Sequence, residues 1–441
     1  MGSSLLSDDT RGYQFNPTDY SVKNMSSNKS YKYRLESEGG DPQGKILEEM
    51  QDRYRWYRDR WLKQPKDCID QKINNSTLIE SGNIPLCIDI ETAAICDLAC
   101  PFCYREYIAT PDKVMSVRLA KKLIKQASDI GVPSIKFNWR GEPLLNPKIT
   151  ELIDYAKRHN ILETMINTNA TTLTKKKSEA LINSGLDVMI YSFDGGSKET
   201  YEKNRPGRFK KNRFDDIYKK IKGFHEVRTS MGSKFPRTKI QMILTEDTFN
   251  EQESFFELFS EYVDEVVVNQ YTERGGSLSE LSNDEITRYE KAMKDEGSKE
   301  NLPFMRGSDG KMWISLKRKP CEQPYQRLMV TYDGRVGMCC HDWGSKHPVG
   351  FTSDESFEDP DKEYKEVIRR VEIGKSGFEL LENVKMPKTY NYPEEKVTSI
   401  HEIWIGEEIN KVRDSHQNDM VEDVEICKGC SFKDTYDWVE I

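Results

Sequence analysis

Between residue 84 and about residue 271, short apolar runs alternate with amphipathic segments. Six of the runs are β-prone: IPLCIDIET, SIKFNW, ETMINTN, DVMIYSFDG, RTKIQMILT and DEVVVNQY. The segments between them have helical spacing, as in SVRLAKKLIKQASDIG, where Leu119, Leu123, Ile124 and Ala127 share one face and Gly131 follows its end. This alternation predicts an α/β fold, either an open doubly wound sheet or most of a (β/α) barrel.

The chain before this region has a different pattern. Residues 1–40 are polar without a clear period and predict an extended or partly disordered arm. GKILEEMQDRYRWYRDRWLKQP then carries a helical apolar stripe, and we expect this helix to end at Pro65. Its arginines make it a basic amphipathic helix, for which packing onto the body of the protein is favoured over a partner or membrane surface.

The chain after residue 271 also changes character. Residues 272–310 are polar and charged and predict a linker with a helix. RLMVTYDGRVGMCC predicts a β-hairpin that turns at Asp333-Gly334, and SIHEIWIGEEINKVRDSH predicts an amphipathic helix. We therefore expect a separate, smaller α+β domain at the C-terminal end. The predicted division is 1–80 (arm and helix), 81–271 (core), 272–310 (linker) and 311–441 (small domain).

Composition narrows the classes of protein. The 441 residues are 36% apolar and 32% charged, and no run approaches the ~18 apolar residues of a membrane span. The first residues lack the features of a signal peptide, so a cytoplasmic protein is expected. A formal net charge of −8 argues against nucleic-acid binding. Two basic runs, GRFKKNR (207–213) and KRKP (317–320), are either solvated faces or patches that meet an anionic substrate.

The ten cysteines are clustered rather than spread. Cys96, Cys100 and Cys103 follow the first predicted strand at C-x₃-C-x₂-C spacing, at the end where an α/β sheet places its active groups. A zinc site would need a fourth ligand nearby, but the next histidine is His159. Three thiolates instead suit a [4Fe–4S] cluster with one iron left open, and Phe102 offers a flat apolar surface against a bound aromatic group. Zinc remains the alternative.

A C-x₃-C-x-aromatic-C loop after the first strand of a six-unit (β/α) domain resembles the radical S-adenosylmethionine (radical SAM) enzymes. The resemblance implies a partial (β/α)6 TIM-like barrel whose cluster binds the amino and carboxylate groups of SAM. It also implies cleavage of SAM to a 5′-deoxyadenosyl radical that abstracts hydrogen from substrate. A flavodoxin- or ferredoxin-like protein would supply the electron.

Two further motifs support the resemblance at the second and third strand ends. WRGEPLLNP is similar to the family's Gly-Gly-Glu-Pro motif, which implies close backbone approach at Gly141 and a contact from Glu142 to the SAM amino group. Arg140 stands where the family usually has Gly. NTNAT resembles a Thr-Asn-Gly motif with Ala170 in place of Gly, and Asn169 would offer a polar contact.

The fourth and fifth strand ends extend the resemblance. YSFDG matches a Ser-x-Asp-Gly motif, which implies that Ser192 and Asp194 lie near the SAM ribose or carboxylate. Arg205 in YEKNRPG matches an arginine that pairs with the SAM carboxylate. Gln241 and Met242 lie where the family contacts the adenine.

The C-terminal cysteines predict a second site. Cys321, Cys339, Cys427 and Cys430 resemble the ligands of the Twitch half of a SPASM domain, which implies an auxiliary [4Fe–4S] cluster. A Cys₄ zinc site uses the same ligands and stays open. Cys340 is the spare thiol: it is either a small buried residue that could replace Cys339 as a ligand, or a catalytic hydrogen-atom donor.

The reaction is less determined. A closed auxiliary cluster favours oxidation or epimerisation of a small, polar, sugar-like substrate, which a phosphate or nucleotide group would link to the basic run near Cys321. The alternatives are a maturase that modifies a precursor peptide and a non-catalytic iron–sulfur or zinc scaffold.

Overall fold

The computed structural model describes residues 45–73, 82–103, 105, 111–233, 235–245, 247–270, 287, 290–291, 294, 304–306, 312–342, 345, 347–357, 394–427, 430 and 436–440. The predicted arm at 1–40 and most of the predicted linker at 272–310 lie outside these residues. So do the side chains of Lys317 and Arg318 in the second basic run.

The six predicted strands are present and pair in parallel, in the order of the sequence. They are β1 (Cys87–Ile90), β2 (Ser134–Lys136), β3 (Glu163–Thr168), β4 (Val188–Ser192), β5 (Arg237–Leu244) and β6 (Glu265–Gln270). The predicted α/β class, a parallel sheet in the form of a partial (β/α) barrel, is confirmed.

The helices lie on both faces of this sheet, most of them on one face. Those with defined bounds are α1 (Lys45–Asp70), α2 (Val117–Asp129), α3 (Ile149–Arg158), α4 (Lys175–Asn183), α5 (Lys198–Asn204), α6 (Phe214–Ser230), α7 (Gln252–Phe259), α8 (Gln323–Gln326), α9 (Ile400–Trp404) and α10 (Glu407–Gln417). Ser116, Thr174 and Ser197 cap α2, α4 and α5 by accepting a backbone N–H with the side chain. The largest apolar core lies between these helices and alternate strand residues such as Ile88, Ile135 and Met189.

The C-terminal segment extends the same sheet. Its strands β9 (Arg327–Val330), β10 (Arg335–Gly337) and β11 (Pro348–Phe351) give a nine-stranded sheet of order β11-β10-β9-β1-β2-β3-β4-β5-β6. β9 pairs with β1 in parallel, and β10 returns antiparallel through the predicted hairpin, where Gly334 has φ +99°. The sequence predicts a separate domain here, whereas the hydrogen bonds between β1 and β9 make these three strands continuous with the sheet of the core.

A second, three-stranded sheet has the order β12-β8-β7, formed by β7 (Phe304–Arg306), β8 (Met312–Arg318) and β12 (Tyr436–Glu440). The predicted C-terminal helix is divided into α9 and α10 at Gly406. A Cβ at this glycine would come within 2.9 Å of the Glu402 carbonyl oxygen. In the described part of the chain, no helix combines the length and apolarity needed to cross a membrane.

Helix α1 packs on the other face of the sheet. Tyr54, Tyr57 and Trp61 are buried in a second core with residues of β1, β3 and β4. The helix does not end at Pro65, as predicted, but continues to Asp70. Pro65 has no N–H for the Trp61 carbonyl, and Gln326 Nε2 donates to that oxygen at 2.8 Å instead. A residue 265 positions away in the sequence thus supplies the donor that this turn of the helix lacks.

Candidate functional site

The three-cysteine loop leaves the carboxyl end of β1. Cys100 is buried, whereas Cys96, Cys103 and Phe102 are half-buried. Burial raises the pKa of Cys96 to about 12, with a further increase from the charge of Glu142. Burial also raises the pKa of Cys100, and the positive charge of Arg205 opposes this increase. Without a metal these thiols stay protonated, and a bound metal would deprotonate them.

Gly141 and Glu142 fix the end of β2 against this loop. Gly141 has φ +68°, and a Cβ there would lie 2.2 Å from the Ala93 carbonyl oxygen. The Glu142 N–H donates to the Ile95 carbonyl at 2.8 Å. The close approach predicted at Gly141 is therefore made by the chain that leads into the cysteines.

The Glu142 carboxylate is 2% exposed and joins two strand ends. Its oxygens accept from the N–H of Leu144 at 3.0 Å, the hydroxyl of Thr168 at 2.7 Å and the N–H of Asn169 at 2.7 Å. Burial nevertheless raises the pKa of this carboxyl to about 7, because it outweighs the three hydrogen bonds. A cation placed beside Glu142 would lower that pKa and be bound in return.

Asn169 contacts the cysteine loop directly. Its Nδ2 lies 2.9 Å from Asp97 Oδ1 and 3.9 Å from Cys96 Sγ, so the amide donates to this stretch. Its side chain is 5% exposed. Ala170 has φ +60°, a left-handed conformation that glycine adopts without strain, which explains the glycine of the similar family motif at this position.

Asp194, predicted to lie near the SAM ribose or carboxylate, makes its contacts within the protein. The residue is 1% exposed; one carboxylate oxygen accepts from the Ile243 N–H at 2.7 Å and the other from Arg205 Nε at 2.7 Å. Both oxygens are thus engaged within the protein. Asp194 holds the buried Arg205 guanidinium in place, and Arg205 rather than Asp194 is left to meet an anionic group.

Ser192 and Gln241 share the face of the sheet opposite the helices, where Gln241 Nε2 donates to Ser192 Oγ at 3.3 Å. Met242 follows on β5, so its side chain points to the opposite face and is buried in the core with the helices. The structure therefore does not bring the Met242 side chain to the site predicted for it.

The sequence analysis missed an ion pair beside the site. Arg140, which departs from the family motif, is 4% exposed and binds Glu91 through Nε at 2.6 Å and Nη2 at 2.9 Å. Glu91 follows β1 and also accepts from the Tyr332 N–H at 3.1 Å. Two charged residues at neighbouring buried strand ends were the available signal for this pair.

Four cysteines line one cavity in the C-terminal segment. These are the predicted residues Cys321, Cys339, Cys427 and Cys430. Their charges interact: Cys427 and Cys430 each raise the pKa of Cys321, although burial raises it more. Cys340 does not line the cavity; its carbonyl accepts from Trp139 Nε1 at 3.2 Å. Trp139 precedes Arg140, so the end of β2 touches the loop that carries Cys339.

His416 also lines this cavity and was not predicted. It is fully buried, and its Nδ1 accepts from the Cys321 N–H at 2.8 Å. An accepting Nδ1 places the single ring proton of the neutral imidazole on Nε2. Nε2 lies 3.5 Å from Cys427 Sγ. His416 therefore donates to one thiol and positions the backbone of another.

The arrangement of the thiols bears on what they hold. Among the residues that the structure describes, no three Cys, His, Asp or Glu side chains are arranged to hold a single metal ion. In an iron–sulfur cube each thiolate binds a different iron, so the sulfur atoms surround the group instead of meeting at one point. Four thiols that line a shared cavity are a ligand set that suits an iron–sulfur cluster, and a Cys₄ zinc site would use the same residues.

Residues 90–259 match the family model described as the radical SAM superfamily. The chain contains a radical SAM domain. The matched residues run from the end of β1 through α7 and include the three-cysteine loop, Glu142, Asn169 and Arg205. Radical SAM domains use a [4Fe–4S] cluster and SAM, and the three thiols with their neighbouring hydrogen-bond donor and guanidinium fit those groups.

Curated relatives match part of the chain. GTP 3′,8-cyclase of Chlorobaculum tepidum is 32% identical over 114 residues, which are 26% of this chain and 34% of the relative. PqqA peptide cyclase of Gluconobacter oxydans is 32% identical over 111 residues, 25% of this chain and 30% of the relative. The chain thus spans about a third of the length of these relatives.

Solved structures resemble more of the chain at lower identity. SuiB of Streptococcus suis bound to S-adenosylmethionine is 19% identical, with a TM-score of 0.45, over 66% of this chain and 68% of that one. BtrN in complex with AdoMet and 2-DOIA is 16% identical, with a TM-score of 0.40, over 81% of this chain and 99% of that one.

Proposed function

We propose that this protein is a radical SAM oxidoreductase that oxidises or epimerises a small polar substrate. The observation that carries the proposal is the joint placement of Cys96, Cys100 and Cys103 with Glu142 and Arg205 at one end of the parallel sheet. When bound there, the cluster and SAM would supply a 5′-deoxyadenosyl radical, which takes a hydrogen atom from substrate.

The residues of the chain bind and orient SAM in this proposal. Glu142 would face the cationic amino group, and Arg205, held by Asp194, would face the carboxylate. Asn169 donates to Cys96 and fixes the loop. Ser192 and Gln241 would meet the nucleoside from the inner face of the sheet. In this arrangement Glu142 would recognise the positive amino group of the SAM methionine, and Arg205 would recognise its negative carboxylate.

The inner face of the sheet supports a polar substrate. Asp89 on β1 pairs with Arg327 on β9 through an Oδ2–Nη1 distance of 3.4 Å. Asn167 Oδ1 is buried, and the described residues give it no hydrogen-bond partner. Lys136 is half-buried on the same face. An apolar substrate would leave the Asn167 Oδ1 acceptor unsatisfied, whereas a hydroxyl or amino group would donate to it.

Oxidation needs an acceptor for the electron that remains when the substrate radical loses a proton. Cys321, Cys339, Cys427 and Cys430 would hold an auxiliary [4Fe–4S] cluster that supplies this acceptor. The Trp139–Cys340 hydrogen bond connects the end of β2 with that site. Cys340 also lies near Arg327 of the inner face. Burial lowers the pKa of the Arg327 guanidinium, but the charges of Asp89, Cys87 and Cys340 raise it above its usual value. Cys340 stays a candidate hydrogen-atom donor for epimerisation.

The substrate class can be tested directly. The anaerobically reconstituted protein would be given SAM, dithionite and separate pools of aminocyclitols, nucleotide sugars and GTP, and 5′-deoxyadenosine would be measured against a substrate-free control. We expect one polar pool to raise the yield of 5′-deoxyadenosine. A compound in that pool should lose two mass units if it is oxidised, or gain deuterium from the solvent if it is epimerised. Absence of 5′-deoxyadenosine in every reaction would contradict the proposal and leave a non-catalytic scaffold.

Modification of a precursor peptide is a second candidate. The relative named PqqA peptide cyclase, at 32% identity over 111 residues, favours it. The relative named GTP 3′,8-cyclase favours a nucleotide-linked substrate instead. A 5′-deoxyadenosine yield that rises only with a peptide encoded beside this protein would select the maturase.

SAM binding is expected to strengthen as the pH rises. The Glu142 carboxyl has a pKa of about 7 in the folded protein, and only its ionised form attracts the SAM amino group. We expect the Kd for SAM to fall by up to about 25-fold between pH 5.5 and 7.5, because the ionised fraction of a group with this pKa rises from about 3% to about 76% over that range. Equilibrium dialysis of the reconstituted protein would measure this.

The stability of the unliganded protein should change in the opposite direction. The folded pKa of Glu142 lies above its ordinary value of 4.5, so its contribution to stability is present below about pH 4.5 and is lost as the pH rises through about 7. Glu142→Gln is the control, since it should flatten both profiles. A Kd for SAM that stays constant across this range in the parent would contradict the role given to Glu142.

His416 is expected to raise the reduction potential of the auxiliary cluster. Its Nε2–H donates to Cys427 Sγ, and a donor to a ligand sulfur stabilises the more negative, reduced cluster. His416→Leu should lower the potential by about 50 mV, corresponding to roughly 1 kcal/mol for a one-electron couple. His416→Gln, which retains a donor near the Nε2 position, should recover most of it. A redox titration followed by electron paramagnetic resonance measures both, and equal potentials in all three proteins would refute the role.

A further inference from the structure

The turn that follows Arg205 packs against the cysteine loop. Residues 207 and 98 form an antiparallel bridge, and the Arg208 N–H donates to the Asp97 carbonyl at 2.8 Å. Arg208 Nη1 also reaches the Cys96 carbonyl at 3.5 Å. The base of the turn is tied by Asn212, whose Nδ2 donates to the Arg205 carbonyl at 2.9 Å. This turn is therefore the protein surface next to the proposed SAM cluster.

The turn presents an exposed aromatic ring among cations. Phe209 is 62% exposed, more than any other exposed large apolar side chain of the described residues. Arg208 stacks on its ring at 4.9 Å, and Lys210 and Lys211 are exposed beside it. Gly207 makes the turn possible, because a Cβ there would lie 1.7 Å from the Lys210 carbonyl oxygen. Aromatic residues and arginine are enriched at protein contact surfaces, and this turn presents Phe209 beside Arg208.

Two further groups of lysines adjoin the turn. Lys220 on α6 donates to the Thr171 carbonyl, and Thr171 in turn donates to Asp97 of the cysteine loop. Lys175 at the start of α4 shares a groove with Lys219 and Lys220. We call the whole set the basic rim: Lys175, Lys176, Lys177, Arg208, Lys210, Lys211, Lys219 and Lys220, together with Phe209.

The charge of the basic rim differs from that of the chain. Its acidic neighbours are fewer than its eight cations. Asp112 pairs with Arg208 at 2.6 Å and Glu202 with Lys211 at 3.7 Å, Asp215 and Asp216 are exposed on α6, Glu226 lines the groove of Lys219 and Lys220, and Asp97 accepts from Thr171. The chain as a whole carries a formal charge of −8. A local excess of cations on an acidic protein steers an acidic partner to one face.

We propose that the basic rim docks an acidic electron-donor protein of the flavodoxin type. The inference rests on the proposed function, since a reductively cleaved SAM needs one electron delivered to the cluster held by Cys96, Cys100 and Cys103. The donor gives up that electron at the surface where the cysteine loop comes closest to Phe209 and Arg208. The cations orient the donor, and Phe209 supplies the apolar contact between the two proteins.

The experiment compares two electron sources in the reconstituted protein. Formation of 5′-deoxyadenosine is driven either by excess dithionite, a small ion that needs no docking, or by reduced flavodoxin at increasing concentration. In Lys210→Glu/Lys211→Glu we expect the KM for flavodoxin to rise about tenfold or more and its salt dependence to weaken. The dithionite-driven rate should stay at the parent value. Phe209→Ser should raise the KM several-fold without changing its salt dependence.

Lys63→Glu/Lys66→Glu on α1 is the matched control, with the same change of charge on a helix remote from the cysteine loop. An equal flavodoxin KM in the parent, the rim variant and the control would overturn the proposal. If the rim variant alone loses its dithionite-driven rate, Lys219→Glu on the exposed side of α6 repeats the comparison. The rim variant could have parent-like flavodoxin kinetics while the parent binds a single-stranded oligonucleotide in a salt-sensitive way. That result would overturn the proposal and assign the basic rim to nucleic-acid binding. A parent that forms no 5′-deoxyadenosine with dithionite would contradict the proposed function itself.

Discussion

Replacing Cys96, Cys100 and Cys103 by alanine is expected to lower the iron content from about eight to about four atoms per chain and to abolish SAM cleavage. Each cube brings four irons, so two cubes account for the parent value and one remains in the variant. The loss of activity is complete because no other described thiol lies on the β1 loop to bind a cluster. Iron analysis and 5′-deoxyadenosine assays after anaerobic reconstitution measure the two quantities.

Two controls separate the clusters. Cys340→Ala should keep about eight irons, because Cys340 lies outside the cavity that Cys339 lines. Cys321→Ala/Cys427→Ala should also fall to about four irons yet retain substrate-independent SAM cleavage. A parent value of about four that vanishes in the Cys96/Cys100/Cys103 variant would mean that the other four thiols hold zinc or nothing. That result would remove the electron acceptor, and with it the proposed oxidation.

Replacing Asp194 by asparagine is expected to destabilise the unliganded protein by about 3–5 kcal/mol, the cost of leaving a buried charge without its partner. Arg205 is 8% exposed, and Asp194 is the carboxylate bound to its Nε. An asparagine at position 194 can still accept from the Ile243 N–H, so the loss comes from the unpaired guanidinium. Chemical denaturation of the apoprotein, compared with the parent, gives the change in free energy of unfolding.

A second variant tests whether the charge is the cause. Asp194→Asn/Arg205→Gln removes both charges and should be more stable than Asp194→Asn alone, since no isolated charge stays buried. It should nevertheless fail to bind SAM, because the group proposed to meet the carboxylate is gone. A double variant as unstable as the single one would show that Asp194 acts through its hydrogen bond to β5 instead.

The parallel strands were predictable because a strand covered on both faces reads as a short continuous apolar run. The runs SIKFNW and DVMIYSFDG both contain such a strand, although each observed strand ends three residues before the end of its run. The cysteine spacing and the motifs that follow the strands also pointed to one edge of the sheet. Local pattern was sufficient here, since each signal lies within a few residues of the element that it marks.

Long-range contacts account for what the sequence did not reveal. The helix continues past Pro65 because of Gln326, and Arg140 is buried because of Glu91. Asp194 matched a motif, but its carboxylate is engaged by Arg205 and by β5 rather than directed outward. Each case depends on a partner that a periodic pattern does not specify.

The pairing of β9 with β1 has a consequence for timing. The loop after β1 carries Cys96, and the hairpin after β9 leads to Cys339, so both proposed redox centres are attached to adjacent strands of one sheet. The rate of electron tunnelling falls steeply with distance. If the two centres lay on domains joined by a hinge, motion of the domains would make this rate fluctuate. Here backbone hydrogen bonds between β1 and β9 set the distance between the two proposed redox centres. In the proposed reaction, the rate of electron transfer to the auxiliary cluster would therefore not depend on the viscosity of the solvent.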